Sequence, residues 1–149
     1  MSDQHDDLAG AADLFGTKAK RRYDVVTLPA RGKNVRIQSL MEQELANYQS
    51  VLGSTAAGTS NFRARLADAA RRLIVLCVVD RAGNRILNKD HVARMGSEWD
   101  AADVQALYAR CVQHVGIRMS DIEDLIKNSE ETSDGSSPIG EPATPADLT

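Results

Sequence analysis

The sequence predicts an α+β fold, predominantly α-helical, in which an N-terminal β-hairpin packs on a small bundle of about four to five helices between disordered N- and C-terminal tails. Three observations carry that reading. Apolar residues recur at spacings of three and four across most of residues 40–126, the period of a helix buried along one stripe. Residues 23–39 are instead β-branched and alternating around a Pro/Gly turn. Both ends are poor in apolar residues and rich in acidic and small ones.

With 149 residues the chain fits one domain and can bury a core without disulfides or metal. The expected organisation is a disordered arm over 1–22, a single globular helical domain with its N-terminal hairpin over 23–128, and a disordered acidic tail over 129–149. The arm is acidic first and basic last, ending in Lys18, Lys20, Arg21 and Arg22. Within it, Leu8, Leu14 and Phe15 can dock on a partner as a short helical turn.

Residues 23–28 read as one strand, 29–34 as a turn and 35–39 as the return strand. A hairpin is marginal alone, so its apolar face, Val25 or Val26 with Val35 and Ile37, needs a helix to pack on. Ser39 with Glu42 fits a capping box, and Met41, Leu45, Tyr48 and Leu52 line one face of the helix that follows. The run GSTAAGTS at 53–60 reads as a flexible connection.

Next come Phe62, Leu66, Ala69, Ala70, Leu73 and Cys77 at helical spacing, with Arg63, Asp68, Arg71 and Arg72 on the other face. They lead into the most hydrophobic stretch, 73–79. A run of that length alone suits a strand or a helix. The period before it extends the helix through the run, so that Leu76 falls in the core. Asp80 to Asn84 forms a turn in which Gly83 takes a positive φ, and 85–87 returns extended. Asn88 caps a brief helix containing Val92 and Met95, which Gly96 ends. Ser97 with Asp100 starts another, striped by Val104, Leu107, Tyr108, Cys111 and Val115 and closed by Gly116. Ser120 with Glu123 opens the last, carrying Ile122, Leu125 and Ile126 and ending near Asn128.

Chemistry is sparse. The chain carries 18 Lys and Arg against 21 Asp and Glu, a formal net charge of −3, and the domain over 23–128 is near neutral, which argues against nucleic-acid binding. Aromatic residues make up 4% of the chain, too few for stacking platforms. His5, His91 and His114 are scattered. Only Cys111 and His114 share a helix face, and two ligands do not make a zinc site. As nucleophile and base the pair lacks an orienting third group and an oxyanion site. At Gly32-Lys33 the phosphate-loop pattern fails, because Thr27 and Asn34 stand where a glycine and a hydroxyl are required. No enzyme, metal or cofactor is therefore expected. No apolar run approaches the ~20 residues that span a bilayer, which excludes a membrane segment and predicts a cytoplasmic chain with Cys77 and Cys111 as buried thiols. Trp99, at the first turn of a helix, is either a half-buried core anchor or a partner-facing hot spot.

Taken in order, LPARGKNVRIQSLMEQELANY, RLIVLCVVDRAGNRIL and DIEDLIKNSE resemble the tail assembly chaperones of long-tailed, siphovirus-type bacteriophages. The matching residues are Leu28-Pro29, Gly32, Val35, Arg36, Ile37, Leu40 and Glu44, then Leu76, Val79, Asp80, Gly83, Asn84, Arg85 and Leu87. Last comes the helix from Glu123 to Asn128. The arm over 1–22 and the small-residue stretch 53–60 depart from the pattern. The resemblance implies a non-catalytic protein of the host bacterial cytoplasm, absent from the mature virion. Such a protein coats the tape measure protein, a long helical chain with apolar faces, and keeps it soluble until tail tube (major tail) subunits polymerise around it. A frameshifted longer form would recruit the tube protein, with the tail from Ser129 as tether, and self-association stays open. The exposed apolar candidates for partner binding are Met95, Trp99 and Met119, which flank helix ends outside the clean stripes; for each, a place in the core is the competing reading. The alternative function is a small helical DNA-associated or regulatory domain using Lys18 to Arg22 and the arginines of the long helix.

Overall fold

The computed structural model of the chain describes residues 8–16, 18–54 and 61–128. The expected tail at 129–149 and most of the expected connection at 53–60 lie outside the described residues, as does the start of the arm. In chain order the elements are α1 (Ala11–Phe15), β1 (Tyr23–Thr27), β2 (Asn34–Gln38), α2 (Glu42–Ser54), α3 (Phe62–Cys77), β3 (Val78–Val79), α4 (Asp90–Glu98) and α5 (Ala101–Val115). Residues 119–128 form a final helix, α6. The fold is mostly helical α+β, as the patterning predicts.

β1 and β2 pair antiparallel with Tyr23 opposite Gln38 and Thr27 opposite Asn34. Gly32, at φ +71°, turns the chain between them. Val26 and Ile37 point into the core while Val25 faces out, which resolves the alternative left by the alternating pattern. The sheet has a third strand that the helical reading of 73–79 missed. α3 stops at Cys77, and β3 pairs antiparallel with β2, Arg36 opposite Val79 and Ile37 opposite Val78. Two consecutive β-branched residues favour the extended form, and the Gln38 side chain accepts the switch by donating to the Leu76 carbonyl at 3.0 Å. An isolated bridge from Val79 to Arg85 continues the pairing beyond the turn, so the extended return at 85–87 is present in outline.

α3 is the central helix, packed on α5, α4 and α2. Asn61 caps it, its side chain accepting from the Ala64 N–H at 2.8 Å. Leu73, Ile74 and Cys77 from α3 meet Leu107 and Cys111 from α5, Met95 from α4, and Ile122 and Ile126 from α6 in one core. Leu76 is only half-buried and lines a surface cavity, so its expected place inside the core is corrected: it packs on the core's edge, while Ile74, Val75 and Cys77 of the same turn are buried.

Four helix boundaries also differ. Ser39 extends the hairpin: its N–H donates to the Arg22 carbonyl at 2.8 Å and its hydroxyl accepts from the Arg22 N–H at 2.9 Å. Glu44 supplies the α2 start signal instead, accepting from the Met41 N–H at 2.7 Å. Gly96 does not end α4, which runs to Glu98; a Cβ at Gly96 would lie 3.0 Å from the Arg71 guanidinium, so glycine here serves close packing. Asp100, rather than Ser97, caps α5 by accepting from the Ala102 N–H at 2.8 Å. α6 begins at residue 119, which places Ser120 inside its first turn. Gly116 closes α5 in the left-handed region at φ +93°, as expected.

Candidate functional site: an apolar groove between three helices

On α3 and on α5 one edge of the core-facing side stays open to the surface. On α3 it consists of Arg63, Leu66, Ala67, Ala70 and Arg71; on α5, of Ala101, Val104, Gln105 and Tyr108. Both follow the three-and-four spacing that keeps residues on one face. Met95 and Gly96 of α4, with Trp99 at its C-terminus, close the third side, and together these residues line a groove of about 520 Å³. Small side chains at 67, 70 and 101 leave the space open, and the Arg71 guanidinium lies against Gly96. Arg63 and Arg71 are its ionic groups, and no carboxylate lines it. A mostly apolar cleft with two cations suits the apolar face of an amphipathic helix.

The groove brings together two of the three predicted partner-binding residues. Met95 is 2% exposed and forms its floor, so it is a core residue that shapes the groove rather than the exposed group expected. Trp99 is half-buried and packs against the core, as the anchor reading expects. The Arg31 guanidinium sits 5.0 Å from the centre of its ring, tying the hairpin turn to α4, and Trp99 also contributes to the groove wall. Met119 stands apart on α6, 40% exposed, and lines neither this groove nor the cavities beside α2, the hairpin or His114.

Sequence reading passed over Asp103, which is 1% exposed at the start of α5. Its Oδ1 accepts from the Ala30 N–H at 2.7 Å, and Arg31 Nε stands 4.0 Å from its other oxygen. With the Arg31–Trp99 stack, this fastens the hairpin turn over the groove's α4–α5 end. A buried carboxylate shows in a sequence only as an interruption of an apolar face, and in the first turn of α5 Asp103 reads instead as an acid placed for the helix dipole.

A second cluster joins residues from separate motifs. Arg21 donates to both oxygens of Glu44 at 2.8 Å, and Arg85 donates to Glu44 Oε2 at 3.1 Å. The Arg21 hydrogen bonds lead a set of interactions that hold the Glu44 carboxyl down at about 2. Asp80 folds its own turn, its Oδ1 accepting from the Ala82 and Asn84 N–H groups at 2.9 Å each, and Gly83 passes that turn beneath Tyr23 at φ +90°. Arg36 stacks 3.9 Å from the Tyr23 ring centre and donates to the Arg81 carbonyl at 2.6 Å. The motif residues Glu44, Asp80, Gly83 and Arg85 therefore hold the fold together.

The remaining candidates resolve into structural roles. Cys77 and Cys111 are free and buried, and a hydrogen bond with Cys77 together with burial pushes the Cys111 thiol up, the opposite of an activated nucleophile. His114 Nε2 lies 2.9 Å from the Arg22 carbonyl, and the Arg22 guanidinium donates to the His114 carbonyl at 3.0 Å. Arg21 and Arg22, half of the basic cluster assigned to DNA in the alternative reading, are thus engaged with the chain itself. Among the described residues no helix is long and apolar enough to cross a membrane.

No family model matches the chain, and no curated protein matches it. Among solved structures it is similar to the tail assembly chaperone of bacteriophage HK97, at 15% sequence identity and a TM-score of 0.45, over 79% of this chain and 96% of that one.

Proposed function

We propose that this chain is a bacteriophage tail assembly chaperone whose α3–α4–α5 groove receives the apolar face of a helix of the tape measure protein. The observation that carries the reading is the groove itself: an open apolar cleft flanked by Arg63 and Arg71, with its walls fixed by the Asp103 and Arg31 contacts. The ordered sequence resemblance from Leu28 to Asn128 supports it, because the residues that carry that resemblance build the scaffold on which the groove stands. Several copies along the tape measure protein would cover its apolar faces in the host cytoplasm. They would leave as tail tube subunits assemble, so the mature virion would lack them. Recruitment of the tube protein belongs to a frameshifted longer form joined through the tail beyond residue 128.

Co-expression tests the proposal. The tape measure protein encoded beside this chain is expected in the soluble fraction and in complex with it when both are made, and in the insoluble fraction when made alone. Equal solubility of the tape measure protein without this chain defeats the reading.

A further inference from the structure

Outside the arm, the most exposed large apolar side chains among the described residues are Val25 and Ile86, at 54% and 53%. Both line a cavity of about 590 Å³ between the hairpin, the Asp80 turn and Trp99 at the end of α4. Local structure puts them there. Val25 is the outward residue of β1, opposite Arg36 in register, and Ile86 follows the bridge from Val79 to Arg85. Together they make an apolar patch, which differs from the scattered single exposure that a surface normally shows.

The same face is cationic. Arg31, Lys33, Arg36 and Arg81 line it against one carboxylate, Asp80, whose Oδ1 is turned back onto the N–H groups of Ala82 and Asn84. Arg31 and Arg36 are held over the rings of Trp99 and Tyr23. Lys33 and Arg81 are exposed, and among the described residues neither makes an ion pair. The complementary occupant is a segment with carboxylates around a small apolar anchor. Residues 129–149 have that composition: five acidic residues, no Lys or Arg, and Ile139 set between Asp134 and Glu141. Pro138 fixes the backbone before Ile139 and lowers the entropy lost on docking. From Asn128, the last described residue, the chain to Ile139 reaches roughly 35–40 Å, well beyond the radius of gyration of about 13 Å expected for a domain of this size.

We infer that the acidic tail of this chain docks on its own hairpin face, with Ile139 against Val25 and Ile86 and the flanking Asp134 and Glu141 against Lys33 and Arg81. A segment tethered within reach of its site has an effective concentration on the order of 1 mM. Contacts too weak to hold a free peptide below that concentration therefore hold the tail. The α3–α4–α5 groove, with two cations, is the weaker electrostatic match for five carboxylates. Docking on the hairpin uses a different face from the groove, so the inference does not depend on the chaperone reading.

A nitroxide on the tail of the full chain tests it. Cys77 and Cys111 are buried, so Ser137→Cys offers the reactive thiol for the label. Paramagnetic broadening of backbone amide signals is expected to centre on Val25, Lys33, Arg81 and Ile86, and to fall by about half or more in roughly 1 M salt, where charges are screened beyond about 3 Å. The double change Lys33→Glu, Arg81→Glu is expected to abolish that pattern while melting like wild type, because neither side chain supports the fold. Adding Asp134→Lys and Glu141→Lys to it should restore the pattern, which a merely structural effect of the first pair would not do. Overturning results are broadening spread evenly over the surface, broadening centred on another face, or a pattern that the charge reversal leaves intact. A pattern of full strength in a mixture of isotope-labelled chain without nitroxide and nitroxide-bearing chain without isotope would also overturn it, since the tail would then lie on a different copy.

Discussion

Glu44 shows how one residue links distant parts of the chain. It accepts from the Met41 N–H inside its own helix, from Arg21 in the arm's root and from Arg85 beyond the turn. Its carboxyl falls from an ordinary 4.5 to about 2, led by the Arg21 hydrogen bonds. A folded-state pKa below the unfolded one stabilises the fold above the unfolded value, and that contribution disappears as pH falls from about 5 toward 2. The shift corresponds to about 3 kcal/mol at most. Urea titrations at neutral and acid pH should therefore show wild type losing up to that much more stability than Glu44→Gln across this window. Gly83 makes an independent prediction. With φ at +90° and the Tyr23 hydroxyl 3.0 Å from where a Cβ would stand, Gly83→Ala is expected to cost about 1–2 kcal/mol or more, read as a lowered urea midpoint. The turn glycine was legible in the sequence, because Asp-x-x-Gly admits few other conformations. The Glu44 cluster was not, since nothing in local spacing reports that residues 21, 44 and 85 meet.

Among the elements, α3 carries the fold. Ile74 is fully buried in its last turn, while Leu76 is half-buried and lines the cavity between α2, α3 and α4. Ile74→Ala is expected to cost about 2–5 kcal/mol and Leu76→Ala less than about 2 kcal/mol, measured by chemical denaturation of both variants. Equal losses would mean that the helix ends differently. The stripes of α2, α3 and α5 were legible because an amphipathic helix repeats its signal over several turns. The change to β3 was not: Leu73 to Val79 is apolar throughout, and what makes Val78 and Val79 a strand is the open edge of β2, which lies far away in sequence. Helix starts were misread for a related reason. Ser39 and Ser97 satisfy the spacing of a capping box, yet Ser39 finds a strand partner and Ser97 lies within α4, and the acids Glu44 and Asp100 supply the start signals.

At the scale of the whole molecule, the hairpin turn and the buried Asp103 brace one end of a helical face between α3, α4 and α5 that forms an open groove among the described residues. Periodicity placed Met95 and Trp99 near helix ends but could not report that they share one cleft, because the cleft is made by three helices whose mutual angles no local pattern records. Met119, chosen by the same criterion, lies elsewhere. Arg63 and Gln105 line the groove and are exposed, so the double change Arg63→Glu, Gln105→Glu alters its charge with little effect on the core. The most direct measurement is the amount of tape measure protein that co-purifies with wild type and with this double variant at matched expression, with melting temperatures taken in parallel. The expected result is a complex with wild type that falls by about tenfold or more in a variant that melts like wild type. A variant that melts like wild type and retains the full complex would contradict the assignment of the groove.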